Sequence, residues 1–173
     1  MKRVIGFLIG IGLVSTLNAD IGKLSRIIDG DTVKFNDTTC RFAYIDTPES
    51  KRNDRAKNKV DECPGLTLET MVDAGKESAN YLNSILEIGK SYKYDVISTD
   101  RYDRKVCVIW LNNNVMLNEN LVREGYAVPY YTYIKDSDIE RQMRLSSMIA
   151  KKYRSGLFKS HESVMQCLAK SNG

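Results

Sequence analysis

Thr32-Val33-Lys34-Phe35-Asn36-Asp37-Thr38-Thr39-Cys40-Arg41-Phe42-Ala43-Tyr44-Ile45-Asp46 reads as two strands joined by a turn. Residues 32–35 are β-branched or aromatic at three of four positions. Asn36-Asp37-Thr38-Thr39 supplies turn chemistry, and residues 40–45 return as an apolar strand interrupted by Arg41. Working outward, residues 21–28 alternate mildly and predict a preceding strand. Residues 91–97 and 105–111 predict two more, joined by the polar link 98–104.

Helical patterns fill the remainder. Val72, Ala79, Leu82, Ile85 and Leu86 share one face, with Gly89 as a stop signal. A short helix is predicted over 116–124, ended by Gly125. Asp136 or Ser137 can cap another that runs to about Arg154, with Gly156 beyond it. Residues 50–63 are polar and precede Pro64-Gly65, and they read as a long surface loop. Five strands with helices inserted and appended predict an α+β chain: a small five-stranded Greek-key barrel of the OB type with about three helices.

The chain has 173 residues, enough for one domain with a real core. Lys2 and Arg3 precede an apolar run over 4–14, and Leu17-Asn18-Ala19 comes after it. This is a secretory signal pattern over 1–19, leaving residues 20–173 as the folded domain. The run is shorter than the roughly 17–25 residues of a membrane span. Leu17 at position −3 keeps an uncleaved, membrane-tethering segment as the alternative. Without Lys2 and Arg3, 24 Lys and Arg face 22 Asp and Glu, so overall charge is weak evidence for a polyanionic partner. A basic run from Arg141 to Lys159 carries six cations and no acid, a pattern that suits either polyanion steering or a solvated helix face. Cys40, Cys63, Cys107 and Cys167 permit two disulfides in an exported chain, with three connectivities. Cys40 and Cys107 lie in apolar strand-like runs, and Cys63 and Cys167 in a loop and a tail. That placement favours 40–107 with 63–167. A single histidine, His161, argues against zinc.

Three stretches carry complementary chemistry: Asp29-Gly30-Asp31-Thr32-Val33, Arg41 through Glu49, and Asp100-Arg101-Tyr102-Asp103-Arg104. With the turn centred near Asp37 and Thr38, Asp31 and Asp46 both fall at the open end of the hairpin. Paired carboxylates repel unless a cation intervenes. All-oxygen ligation without His or Cys favours Ca²⁺ or Mg²⁺, and Thr47 can add a carbonyl or hydroxyl. Arg41 and Arg104 offer guanidinium forks that match phosphate. Glu49 can handle a water. One obstacle stands in this scheme: strict alternation puts Arg41 on the face opposite Asp46, so a bend or bulge near Asp46 is required.

These residues, in this order, resemble the staphylococcal nuclease (thermonuclease) family over roughly residues 23–158. Ile28 to Val33 is similar to its opening motif, and Arg41, Asp46-Thr47-Pro48-Glu49 and Arg104 fall on its functional positions. Asn118-Glu119 and Leu121 to Gly125 resemble its later helix. The resemblance implies calcium-dependent hydrolysis of DNA and RNA, leaving 3′-phosphate and 5′-hydroxyl ends; the expected state is a monomer, which the sequence itself leaves open. It assigns Asp31, Asp46 and Thr47 to Ca²⁺, and Arg41 and Arg104 to the phosphate. Glu49 serves the water as base or orienter. Arg101, Tyr102, Tyr131 and Tyr133 fall near substrate-contacting positions that suit a single strand. Asp103 departs from the pattern, because glycine is frequent there in the family. The competing reading is a non-catalytic OB-type module that binds nucleic acid or protein in the cell envelope. The expected location is secreted or periplasmic.

Overall fold

The computed structural model describes residues 19–172. The expected signal segment, apart from Ala19, lies outside the described residues. Five strands close a barrel: β1 (Asp20–Asp29), β2 (Thr32–Phe35), β3 (Thr38–Phe42), β5 (Ser91–Thr99) and β6 (Lys105–Trp110), in the spatial order β1-β2-β3-β6-β5. Every pairing is antiparallel except β3 with β6, which is parallel. Two short strands, β4 (Ile45–Asp46) and β7 (Val128–Pro129), pair separately.

The hairpin register is set by a tight turn. Thr32 pairs with Arg41 and Phe35 with Thr38, so the turn is Asn36-Asp37, one residue earlier than its expected centre. Asn36 takes a left-handed conformation (φ 48°), which asparagine tolerates because its short amide bonds locally. Val33, Phe35, Cys40 and Phe42 are buried together with Leu24, Ile109, Leu117 and Leu121. Phe35 stacks on Tyr94 with ring centroids 4.8 Å apart. Cys40 and Cys107 form a disulfide across the parallel pair.

Among the described residues there are six α-helices rather than three: α1 (Asp54–Asp61), α2 (Leu68–Ile85), α3 (Leu117–Arg123), α4 (Ser137–Tyr153), α5 (Leu157–Ser160) and α6 (Glu162–Ser171). The stretch expected as a surface loop contains α1. Asn53 caps it by accepting the Ala56 N–H, Asp54 lies in its first turn, and Ala56 is buried. The expected tail contains α6, whose Val164, Met165 and Leu168 pack with Val128, Ala150 and Leu157 in a second core. Cys63, just past α1, is disulfide-bonded to Cys167 on α6. Asp136 caps α4 by accepting the N–H groups of Asp138 and Ile139. The basic run extends from the outer face of α4 into α5. Arg141 and Arg144 there pair with Asp138 and Glu140, as on a solvated helix surface.

Gly75 sets how closely α2 approaches the chain at Glu49. A Cβ at this position would lie 2.3 Å from both the carbonyl carbon and the oxygen of Glu49. Overpacking against backbone costs about 1–3 kcal/mol, and the helix preference for alanine returns about 0.8–1 kcal/mol. Gly75→Ala is therefore expected to lower stability by up to about 2 kcal/mol net, read from the urea midpoint. An unchanged midpoint would show that α2 can back away from Glu49 freely.

Candidate active site in a basic cleft

The chain does bend before Asp46, and the bend makes the site. β3 ends at Phe42, and Tyr44 takes a left-handed conformation (φ 68°) before β4 begins. Several bonds hold this strained step in place. The Ala43 N–H donates to the Cys107 carbonyl at 2.8 Å, and the Tyr130 N–H donates to the Tyr44 carbonyl at 2.7 Å. Asn118, fully buried, donates its amide to the carbonyls of Ala43 and Cys107, and its oxygen accepts the Ile109 N–H. α3 thus pins the residue that precedes the turn. Alternation is reset, and Asp46 swings onto the same side as Arg41.

Arg41 Nη1 lies 2.5 Å from Asp31 Oδ2, and Arg41 Nη2 lies 2.8 Å from Asp46 Oδ1. Both carboxylates are almost completely buried. Burial works against the guanidinium charge, but Asp31 and Asp46 outweigh it and hold Arg41 protonated more firmly than an ordinary arginine. Thr32 Oγ1 donates to the other Asp31 oxygen at 2.8 Å. Thr47 is buried, and its hydroxyl lies near Gly30. Gly30 has no room for a side chain, since a Cβ there would meet Ser78 Oγ at 2.3 Å.

α1 brings two cations that the loop reading could not place. Arg55 Nε is 2.9 Å from Glu49 Oε1, and its Nη2 is 3.4 Å from Asp46 Oδ1. Lys59 Nζ is 3.7 Å from Asp46 Oδ2. Their spacing of four residues places both on one helix face. Burial pushes the Glu49 carboxyl up; Arg55 pulls it down, Asp31 and Asp29 push it up again, and the net position is above the ordinary carboxylate range. Asp29, close enough to Asp31 and Glu49 to act on both, also belongs to this group. Burial and the neighbouring Asp31 raise it as well.

A cleft of about 810 Å³ opens beside this cluster, and Asp31, Thr47 and Glu49 lie outside its lining. Arg41, Asp46, Arg55 and Lys59 line one part, and Arg101, Tyr102 and Arg104 another. Arg104 is held by Asp100 through Nε at 2.8 Å and Nη2 at 2.7 Å. Burial raises the Asp100 carboxyl, but bonds from the Arg104 side chain and from the Arg104 and Tyr102 N–H groups outweigh it and leave it below the usual range. Asp103 is exposed and left-handed (φ 60°), a conformation that explains a preference for glycine. The carboxylate that engages Arg104 is Asp100, not Asp103.

Tyr133 lines the cleft and Tyr131 does not. Tyr131 packs against the barrel core beneath Arg144, whose guanidinium lies 4.3 Å from the ring centroid. The short 3-10 turn Tyr131–Tyr133 turns that ring inward. Tyr130 takes the cleft position, edge-on to Tyr133 with centroids 4.6 Å apart. Asn172, at the end of α6, is the other group the sequence does not disclose; its Nδ2 lies 3.2 Å from Asp46 Oδ2.

A closed mixed five-stranded barrel with helices on its flanks defines an OB-type α+β protein, here with a buried acid–arginine cluster at one end of the barrel. The family model for "Staphylococcal nuclease homologue" matches residues 39–160, and the chain belongs to that family. Endonuclease YhcR of Bacillus subtilis (strain 168) is 27% identical over 153 residues, covering 84% of this chain and 12% of that protein. An uncharacterized endonuclease of Escherichia coli O157:H7 is 27% identical over 141 residues, covering 79% of this chain and 78% of that protein. The thermonuclease of Staphylococcus hyicus is 29% identical over 119 residues, covering 66% and 62% respectively.

The Glu49 environment yields a direct check. In cation-free protein, its carboxyl should titrate above the ordinary carboxylate range in a ¹³C NMR pH series. Arg55→Ala removes the group that pulls it down, so the midpoint should move higher still. A midpoint unchanged by that substitution would contradict the Arg55–Glu49 pairing.

Proposed function

We propose that the protein is an exported, calcium-dependent endonuclease that hydrolyses DNA and RNA to 3′-phosphate and 5′-hydroxyl ends. The observation that supports this most is the convergence of Asp31 and Asp46 on one guanidinium, with Arg55 reaching both Asp46 and Glu49, beside a cleft that Arg41, Asp46 and Arg55 line together with further arginines and tyrosines. Membership of the nuclease family and the names of its relatives agree with it.

The donor chemistry fits a hard divalent cation. Asp31 and Asp46 are oxygen donors close enough to share one guanidinium, and Thr47 adds neutral oxygen. No cluster of three or more His, Cys, Asp or Glu is arranged to hold a metal among the described residues; Asp31, Asp46 and Thr47 would hold the cation, with water filling the rest of its shell. When bound, the cation supplies positive charge to the scissile phosphate. The protein groups do the rest. Arg41 and Arg104 bind the equatorial phosphate oxygens, where charge develops as water adds to phosphorus and the bond to O5′ breaks. Arg41 has N–H donors left beyond the two that its acids take. Glu49 serves the attacking water by accepting its proton or orienting it, and Arg55 holds that carboxylate in place.

Tyr102, Tyr130 and Tyr133 present rings beside a cationic groove, which suits the stacked bases of a single strand bound to a monomer. Export is supported by the signal pattern over 1–19 and by the placing of all four cysteines in disulfides, which suit an oxidising compartment. No helix among the described residues is long and apolar enough to cross a membrane.

Purified residues 20–173 should degrade denatured DNA with calcium and stop when the cation is chelated. Glu49→Gln should lower turnover by about 10²–10⁴-fold, the usual contribution of a positioned base, with oligonucleotide affinity nearly unchanged. Cleavage indifferent to calcium, or normal cleavage by the glutamine variant, would overturn the proposal.

A further inference from the structure

We propose that the C-terminal helix is part of the active centre: Asn172 is a positioning residue for Asp46, and the Cys63–Cys167 disulfide fastens it there. The inference rests on the reading of Asp46 as a cation-holding group. It concerns residues beyond the matched family region, which ends at position 160.

Asn172 is 1% exposed although it lies just past the end of α6. Its backbone is anchored on both sides: its N–H donates to the Leu168 carbonyl at 3.1 Å, and its carbonyl accepts the Tyr131 N–H at 3.1 Å. Its side chain donates Nδ2 to Asp46 Oδ2, while Oδ1 is buried with no hydrogen-bond donor among the described residues. An amide buried for packing alone would be poorly chosen, because an unpaired buried oxygen is destabilising. An amide kept for what it does to Asp46 accounts for that cost.

The contacts of Asp46 show what a neutral donor contributes. Arg41 and Arg55 approach Oδ1, while Lys59 and Asn172 approach Oδ2. The three cations compete with a metal ion for the carboxylate's charge. Asn172 fixes the carboxylate plane without neutralising it, which is how outer groups orient a ligand without weakening it. The disulfide joins the two elements that converge on Oδ2. Cys63 lies just past α1, which carries Lys59, and Cys167 lies on α6, which ends at Asn172. Breaking that link frees both partners of one carboxylate oxygen.

Calcium titrated into the oxidised protein in a calorimeter tests this without reference to turnover. Asn172→Leu keeps the volume and removes the donor, and its dissociation constant for calcium should rise about 10–100-fold, as for other ligand-orienting partners. Its melting temperature in chelator should not fall, because the orphan oxygen goes too. The paired variant Cys63→Ser with Cys167→Ser should weaken calcium binding in the same direction, even where it also lowers the melting temperature. A lowered melting temperature with unchanged calcium affinity in Asn172→Leu would make the residue merely structural and overturn the proposal. Unchanged affinity in the cysteine pair would overturn the role of the clip. Absence of calcium binding by the unsubstituted protein would instead overturn the cation reading on which both rest.

Discussion

Arg41 sits between two buried carboxylates, and much of the molecule is arranged so that it can. Two carboxylates drawn from water at this depth would repel each other. A guanidinium that reaches both offsets the repulsion, at distances of 2.5 and 2.8 Å. Buried ion clusters of this kind are poor sources of stability, since desolvation consumes most of the attraction, but losing one member leaves an uncompensated charge. The arrangement makes best sense as a preorganised site whose cost the two cores bear. In the proposed nuclease, the same charges meet a cation and a phosphate.

The cluster depends on a single backbone step. Without the left-handed Tyr44, strand alternation would leave Arg41 and Asp46 on opposite faces. A tyrosine in that conformation is strained, so its neighbours must hold it. The buried amide of Asn118 and the parallel β3–β6 pair do so from one side, and the β4–β7 pair does so from the other. The later helix α3 is thus tied to the site through Ala43, and the glycines at 30 and 75 let β1 and α2 close against Thr47 and Glu49.

The barrel was legible in the sequence because its signals are local: alternating strands, Asn-Asp turn chemistry, and caps such as Asp136. Alternation even identified the need for a bend, but it could not place one, since Tyr44 is stabilised by bonds to residues more than sixty positions away. α1 was hidden by its polarity. Asn53, Asp54 and the Ala56–Val60 spacing were the signals available, and without the helix Arg55 and Lys59 had no reason to face Glu49 and Asp46. α6 has apolar residues at 164, 165 and 168, a helical spacing, yet nothing local tells Asn172 that it will meet a residue 126 positions earlier. Tyr130 and Tyr131 exchanged places because a 3-10 turn sets which ring faces the cleft, and sequence spacing does not resolve one residue in such a turn.

The central claim is that Arg41 and Asp46 act as one buried unit, and a double-mutant cycle measures that coupling directly. Arg41→Gln, Asp46→Asn and the combined variant would be compared with the unsubstituted protein by urea denaturation in chelator. Residues in direct contact couple by about 0.5–3 kcal/mol, and a buried, doubly bonded guanidinium should fall in the upper half of that range. Additive effects, with no coupling beyond error, would contradict the account, because they would mean that the bend at Tyr44 does not bring the two charges together.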